Sequence, residues 1–127
     1  MLRRVPAVDI ADETYVARPP ALLAPDVADP ASWRRWWPDL DLRVSRDRGI
    51  KGVQWSVRGA LAGSMEIWLE PVGDGTVLHW FLRADPPEGA KPRRSRRLDR
   101  ERQRRVKAWK GHAFALKDRA EGAERVT

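Results

Sequence analysis

The sequence has no cysteine, and that single absence removes disulfide bonds, thiolate metal ligands and cysteine nucleophiles together. Histidine is scarce: His79 and His112 are the only two, and neither has a second ligand at a spacing that metal sites use. No metal and no cofactor is expected. No apolar run approaches the roughly 18 to 20 residues that a membrane-crossing helix needs. Met1-Leu2-Arg3-Arg4-Val5-Pro6 is basic without an apolar stretch behind it, so it does not read as a secretory signal, and a cytoplasmic location is expected. Glycine-rich phosphate loops, a G-x-S-x-G turn and a paired nucleophile and base are all missing.

What the chain does have is tryptophan. Seven of its 127 residues are Trp, against one Tyr and two Phe. Indole fills volume with few rotatable bonds, so these residues read as core pieces or as the walls of an apolar cavity. A chain of this length forms one domain with a real but modest core.

The order of elements follows from local patterning. Ile10 to Ala17 holds Thr14, Tyr15 and Val16 and reads as a strand ended by Pro19-Pro20. Pro20 to Ala28 reads as a short helix limited by Pro25. Asp29 is placed as the N-cap of a second short helix, with Pro30 at its first position and Pro38 as its stop. Trp33, Trp36 and Trp37 share one face of that helix.

From residue 40 the apolar period becomes two. Leu42, Val44, Val53, Trp55, Val57, Met65, Ile67, Leu69, Leu78, Trp80 and Leu82 fall on one side of four successive strands, with a turn at Arg46 to Gly49 and a hairpin at Gly73-Asp74-Gly75. The pattern predicts an antiparallel meander with one buried face. Arg43, Arg58, Glu66, Glu70, His79 and Arg83 fall on the outer face, with Trp68 and Phe81 beside them, either stacked together or marking a partner contact.

Arg93 to Glu121 contains no proline, and Leu98, Val106, Trp109, Ala113, Leu116 and Ala120 recur at helical spacing, so a long amphipathic helix capped by Gly122 is expected. Its first half is mostly charge. Lys91 to Lys107 holds ten Lys or Arg against Asp99 and Glu101, a local balance of +8 in a chain whose net charge is +7, so the rest sums to −1.

A strand, two short helices, an antiparallel meander and a long terminal helix resemble the START-like, or SRPBCC, superfamily. Ala28-Asp29-Pro30-Ala31-Ser32-Trp33-Arg34-Arg35-Trp36-Trp37-Pro38 is similar to the helix-to-strand junction of its polyketide cyclase/dehydrase and lipid-transport branch. Leu69 to Leu78 is similar to that branch's penultimate hairpin. The resemblance implies an α+β helix-grip fold, a small antiparallel sheet wrapped on a long C-terminal helix. It divides the chain into a flexible leading segment at 1–10, one domain at 11–122 and a tail at 123–127. Such domains usually carry six strands after the two short helices; four are legible here, which implies a shorter member with a smaller or more open cavity.

Three functional readings follow. The first is a non-enzymatic binder of a small hydrophobic, lipid- or polyketide-like ligand held between sheet and terminal helix, with walls from Trp33, Trp36, Trp37, Trp55, Met65, Ile67, Trp80 and Trp109 and an edge at His112. The second is an enzyme of the polyketide cyclase/dehydrase type, which needs a polar group among inward positions that are apolar in this sequence. The third is an interaction protein that meets nucleic acid or another anionic partner, such as a lipid head group, through Arg94, Arg97, Arg104 and Arg105.

Overall fold

The computed structural model describes residues 5–87 and 95–122. Strand β1 spans Val8–Val16, starting inside the segment expected to lead the domain; the expected tail at 123–127 lies outside the described residues. A 3-10 turn at Pro20–Leu22 and the one-turn helix α1, Ala24–Val27, follow. The Asp29 carboxylate then accepts from the Ala31 N–H at 2.9 Å, Pro30 takes the first helical position, and α2 runs Pro30–Trp36. That cap satisfies a donor that the helix itself leaves free.

Four strands come next: β2 Leu40–Asp47, β3 Gly52–Gly59, β4 Ala62–Val72 and β5 Gly75–Asp85. With β1 they form one antiparallel sheet in the order β1-β5-β4-β3-β2. The β4–β5 hairpin closes through Gly73 and Asp74, and Gly73 has φ +58° at the first central position, where a II′ turn takes glycine. Gly52 enters β3 at φ +120° under the backbone of β4, and a Cβ there would collide with the Ile67 carbonyl oxygen. Helix α3, Ser95–Gly122, lies along β1.

Alternation along the strands buries Val8, Ile10, Val53, Trp55, Val57, Met65, Ile67, Leu69, Leu78, Trp80 and Leu82 against Trp109, Ala113, Leu116 and Ala120 of α3. Burial of this kind stabilises by about 25 cal/mol per Å² of apolar surface removed from water. The result is the START-like helix-grip arrangement, with an open five-stranded sheet gripping its terminal helix.

Three expectations change. Alternation assigns Val44 to the buried face, yet it is 43% exposed, and Leu42 is only half-buried. The reason is that α3 runs along β1, at the opposite edge of the sheet from β2, and β2 also shifts register between Val44 and Arg46. β2 continues through Arg46 and Asp47, which the sequence pattern gives to a turn. His79 is on the outer face as expected, but buried there. It stacks on Trp68, its cross-strand neighbour, with ring centroids 4.4 Å apart, and on Phe81 at 5.8 Å, while its Nε2 lies 3.0 Å from Glu70. Glu66 is bonded to Arg48 and Gln54 at 3.1 Å each.

The free edge of β1 is closed by helix side chains. Arg102 Nε donates to the Asp9 carbonyl at 3.1 Å, Lys110 Nζ to that of Glu13 at 2.7 Å, and Lys117 Nζ to that of Tyr15 at 2.8 Å. Lys110 also ion-pairs with Asp12 at 3.1 Å and donates to the Thr14 hydroxyl at 3.0 Å. Among the described residues no helix is long and apolar enough to cross a membrane.

Candidate ligand-binding cleft

The short helix α2 carries its three indoles into the molecule in three different ways. Trp33 donates its indole N–H to the Val27 carbonyl at 2.7 Å, tying α2 to α1, and meets Trp55 edge-on at 5.2 Å. Trp36 stands edge-on to Trp37 and Trp109, 5.5 Å from each. Trp37, where the helix ends, stacks with Trp80 at 6.1 Å and with Trp109 at 5.5 Å, and those two rings are 5.3 Å from each other. Such pairs each add about 0.5 to 1.5 kcal/mol beyond area burial, which fixes a helix too short to persist alone.

The residues expected to wall a cavity therefore divide. Trp36, Trp55, Met65, Ile67, Trp80 and Trp109 are buried in the core, and indole occupies the space between sheet and α3. Trp37 is buried as well, but with the half-buried Trp33 it also borders an open cleft of about 590 Å³ between α2 and β2. Pro30, Pro38, Leu40 and Leu42 complete its apolar lining, and Arg34 and Asp41 supply its charges. Leu40 to Leu42, at the start of β2, form its floor.

The buried indole N–H groups of Trp37, Trp55, Trp80 and Trp109 have no hydrogen-bond acceptor among the described residues. An unpaired buried donor costs about 1 to 3 kcal/mol. His112 lies half-buried on α3, away from the cleft lining, and its pKa is lowered, first by burial and then by the nearby Arg35 guanidinium of α2. Among the described residues no group of three or more His, Asp or Glu stands together as a metal site would require.

The basic run is also divided. Arg97 and Arg104 are exposed, whereas Arg105 is turned inward, bonding Asp39 at 2.6 and 3.3 Å and Glu101 at 3.5 Å. Arg94 lies outside the described residues. Sequence patterning passes over Glu101, which is buried, and Asp39 and Asp12, which hold Arg105 and Lys110. Only the four-residue spacing of Glu101 and Arg105 signals any of these pairs.

Solved structures share this architecture. The Aha1 dimer from Colwellia psychrerythraea superposes with a TM-score of 0.59 at 16% identity, covering 87% of this chain and 94% of that one. TTHA0849 from Thermus thermophilus gives 0.56 at 14% identity, covering 91% and 98%. CalU16 from Micromonospora echinospora gives 0.56 at 15% identity, covering 95% and 90%. Identities this low establish a common fold and nothing finer. No family model matches the sequence, and no curated protein matches it significantly. The chain has the α+β START-like helix-grip fold.

Proposed function

We propose that the protein is a non-enzymatic module that binds a small apolar molecule, lipid- or polyketide-like, in the cleft between α2 and β2. The observation that carries this reading is the cleft itself: about 590 Å³, lined by Trp33, Trp37, Leu40 and Leu42, with Arg34 and Asp41 as its charged groups. Ligand sites are typically concavities of roughly 300 to 1,000 Å³ with mostly apolar walls and a few polar groups that fix orientation. Its position follows from the way α2 packs beside the start of β2. Arg34 suits a ligand with a carboxylate or other anionic end.

Tryptophan emission reports directly on the cleft, because two of its walls are indoles. Titration with saturated fatty acids of graded length is expected to give saturable quenching or a blue shift. Leu42→Lys, which places a charge in the half-exposed floor, is expected to abolish it. If no fatty acid or polycyclic aromatic probe changes the emission, or if Leu42→Lys responds like the parent protein, the reading is wrong.

A further inference from the structure

The cations of α3 fall into two sets with different partners. Arg102, Arg105, Lys110, Lys117 and Arg119 are taken up by the protein, through the β1 carbonyls or through Asp39, Glu101, Asp12, Glu121 and Asp26. Arg96, Arg97, Arg100, Arg104 and Lys107 are exposed and have no carboxylate or carbonyl partner among the described residues. Asp99 is the one exposed carboxylate between residues 96 and 107.

Helix stability does not account for the second set. The first turn of α3 holds Arg96 and Arg97 and no acidic residue, the reverse of what the positive end of a helix dipole favours. Like charges three and four residues apart also repel. Arg97, Arg100, Arg104 and Lys107, at spacings of three, four and three, share one face and line a single shallow groove of about 480 Å³ with Gln103. The ten helical steps from Arg97 to Lys107 make this stripe roughly 15 Å long.

We infer that this stripe is a docking surface for double-stranded nucleic acid, held through its phosphates without regard to base sequence. Charge complementarity selects the partner: duplex nucleic acid carries one negative charge per roughly 1.7 Å of axis, so a stripe of about 15 Å spans several phosphates. No aromatic side chain interleaves the cations, so single-strand base stacking has no platform. A lipid surface fits less well, because membrane-lying helices need an apolar half and that half of α3 is buried against the sheet. The one large exposed apolar side chain on the described part of α3, Phe114, lies seven residues beyond Lys107 with Lys110 over its ring.

Fluorescence anisotropy with a labelled duplex of about 20 base pairs tests the surface. Binding at about 50 mM salt is expected to weaken on the order of 100-fold by about 200 mM, the response to about four neutralised phosphates. Scrambling the duplex sequence is expected to change affinity less than about threefold. The variant R97Q/R100Q/R104Q/K107Q is expected to lose at least about 30-fold while keeping its circular dichroism and its response to cleft ligands. The control R43Q/R46Q/K51Q/R58Q removes the same charge from exposed positions of the β2–β3 hairpin and is expected to lose less than about threefold. Failure to bind at the lower salt, equal loss in the control, or binding to phosphatidylserine vesicles but not to the duplex would each overturn the proposal.

Discussion

Trp37 of the α2 terminus and Trp109 of α3 lie face to face, 5.5 Å between centroids and 17° between planes. Trp80 also stacks on Trp37, at a similar tilt, so one indole links the short helix, the sheet and the long helix. Replacing it with alanine removes contacts to all three layers at a site 4% exposed. Trp37→Ala is expected to destabilise by about 3 to 5 kcal/mol in urea unfolding. Trp80→Phe deletes one of the unpaired buried N–H donors along with part of the ring, and relief of that donor partly offsets the lost volume. It is expected to cost less than about 1.5 kcal/mol. A larger loss would mean that the Trp80 N–H has a partner in solution.

Glycine positions separate steric need from mere tolerance. At Gly52 both φ and the Ile67 carbonyl exclude a side chain, so Gly52→Ala is expected to abolish cooperative folding. Gly111 sits inside α3 with open space where a Cβ would stand. Gly111→Ala is expected to stabilise by about 0.4 to 1 kcal/mol, visible as a higher urea midpoint with an unchanged slope.

Lys110 holds Asp12, whose side chain is only 10% exposed, together with Thr14 and a β1 carbonyl. Lys110→Met keeps the aliphatic stem and removes all three bonds. The expected loss is about 1.5 to 3 kcal/mol, the range for hydrogen bonds to charged groups. In Asp12→Asn the same substitution is expected to cost measurably less, and equal costs in both backgrounds would show that the two side chains are uncoupled.

His112 gives stability a pH dependence of known sign. Burial and Arg35 depress its folded pKa below 6.5, so the unfolded chain binds the proton more readily. Its contribution is complete above about pH 6.5 and is lost as pH falls through the folded pKa. His112→Gln is therefore expected to lose less stability than the parent between about pH 7.5 and 5.5. An identical change in both proteins would remove His112 as a source.

Local periodicity makes most of the fold legible. Alternation identifies the inner face correctly for all of its strand residues except the two of β2, and the spacing of Trp109, Ala113, Leu116 and Ala120 locates the stripe that the sheet grips. Val44 escapes because alternation says which side a residue points to, and not how far the helix covers that side. His79 escapes because its cover comes from Trp68 on the neighbouring strand, which makes an outer position a buried one. Arg105 is indistinguishable from Arg104 in the run, since its chief partner, Asp39, lies 66 residues away. The cleft is half visible: Trp33 and Trp37 stand out as indoles, but Leu40 and Pro38 gain meaning only once α2 is seen to pack beside the start of β2.

The three carbonyls of β1 that accept from Arg102, Lys110 and Lys117 give the two margins of the sheet unequal fates. A margin whose acceptors are engaged cannot recruit an incoming strand, and at β1 the helix has occupied them. At β2 the deterrents are weaker, a register shift and the charges of Arg43 and Arg46. Any polymer this protein forms under stress would grow from β2.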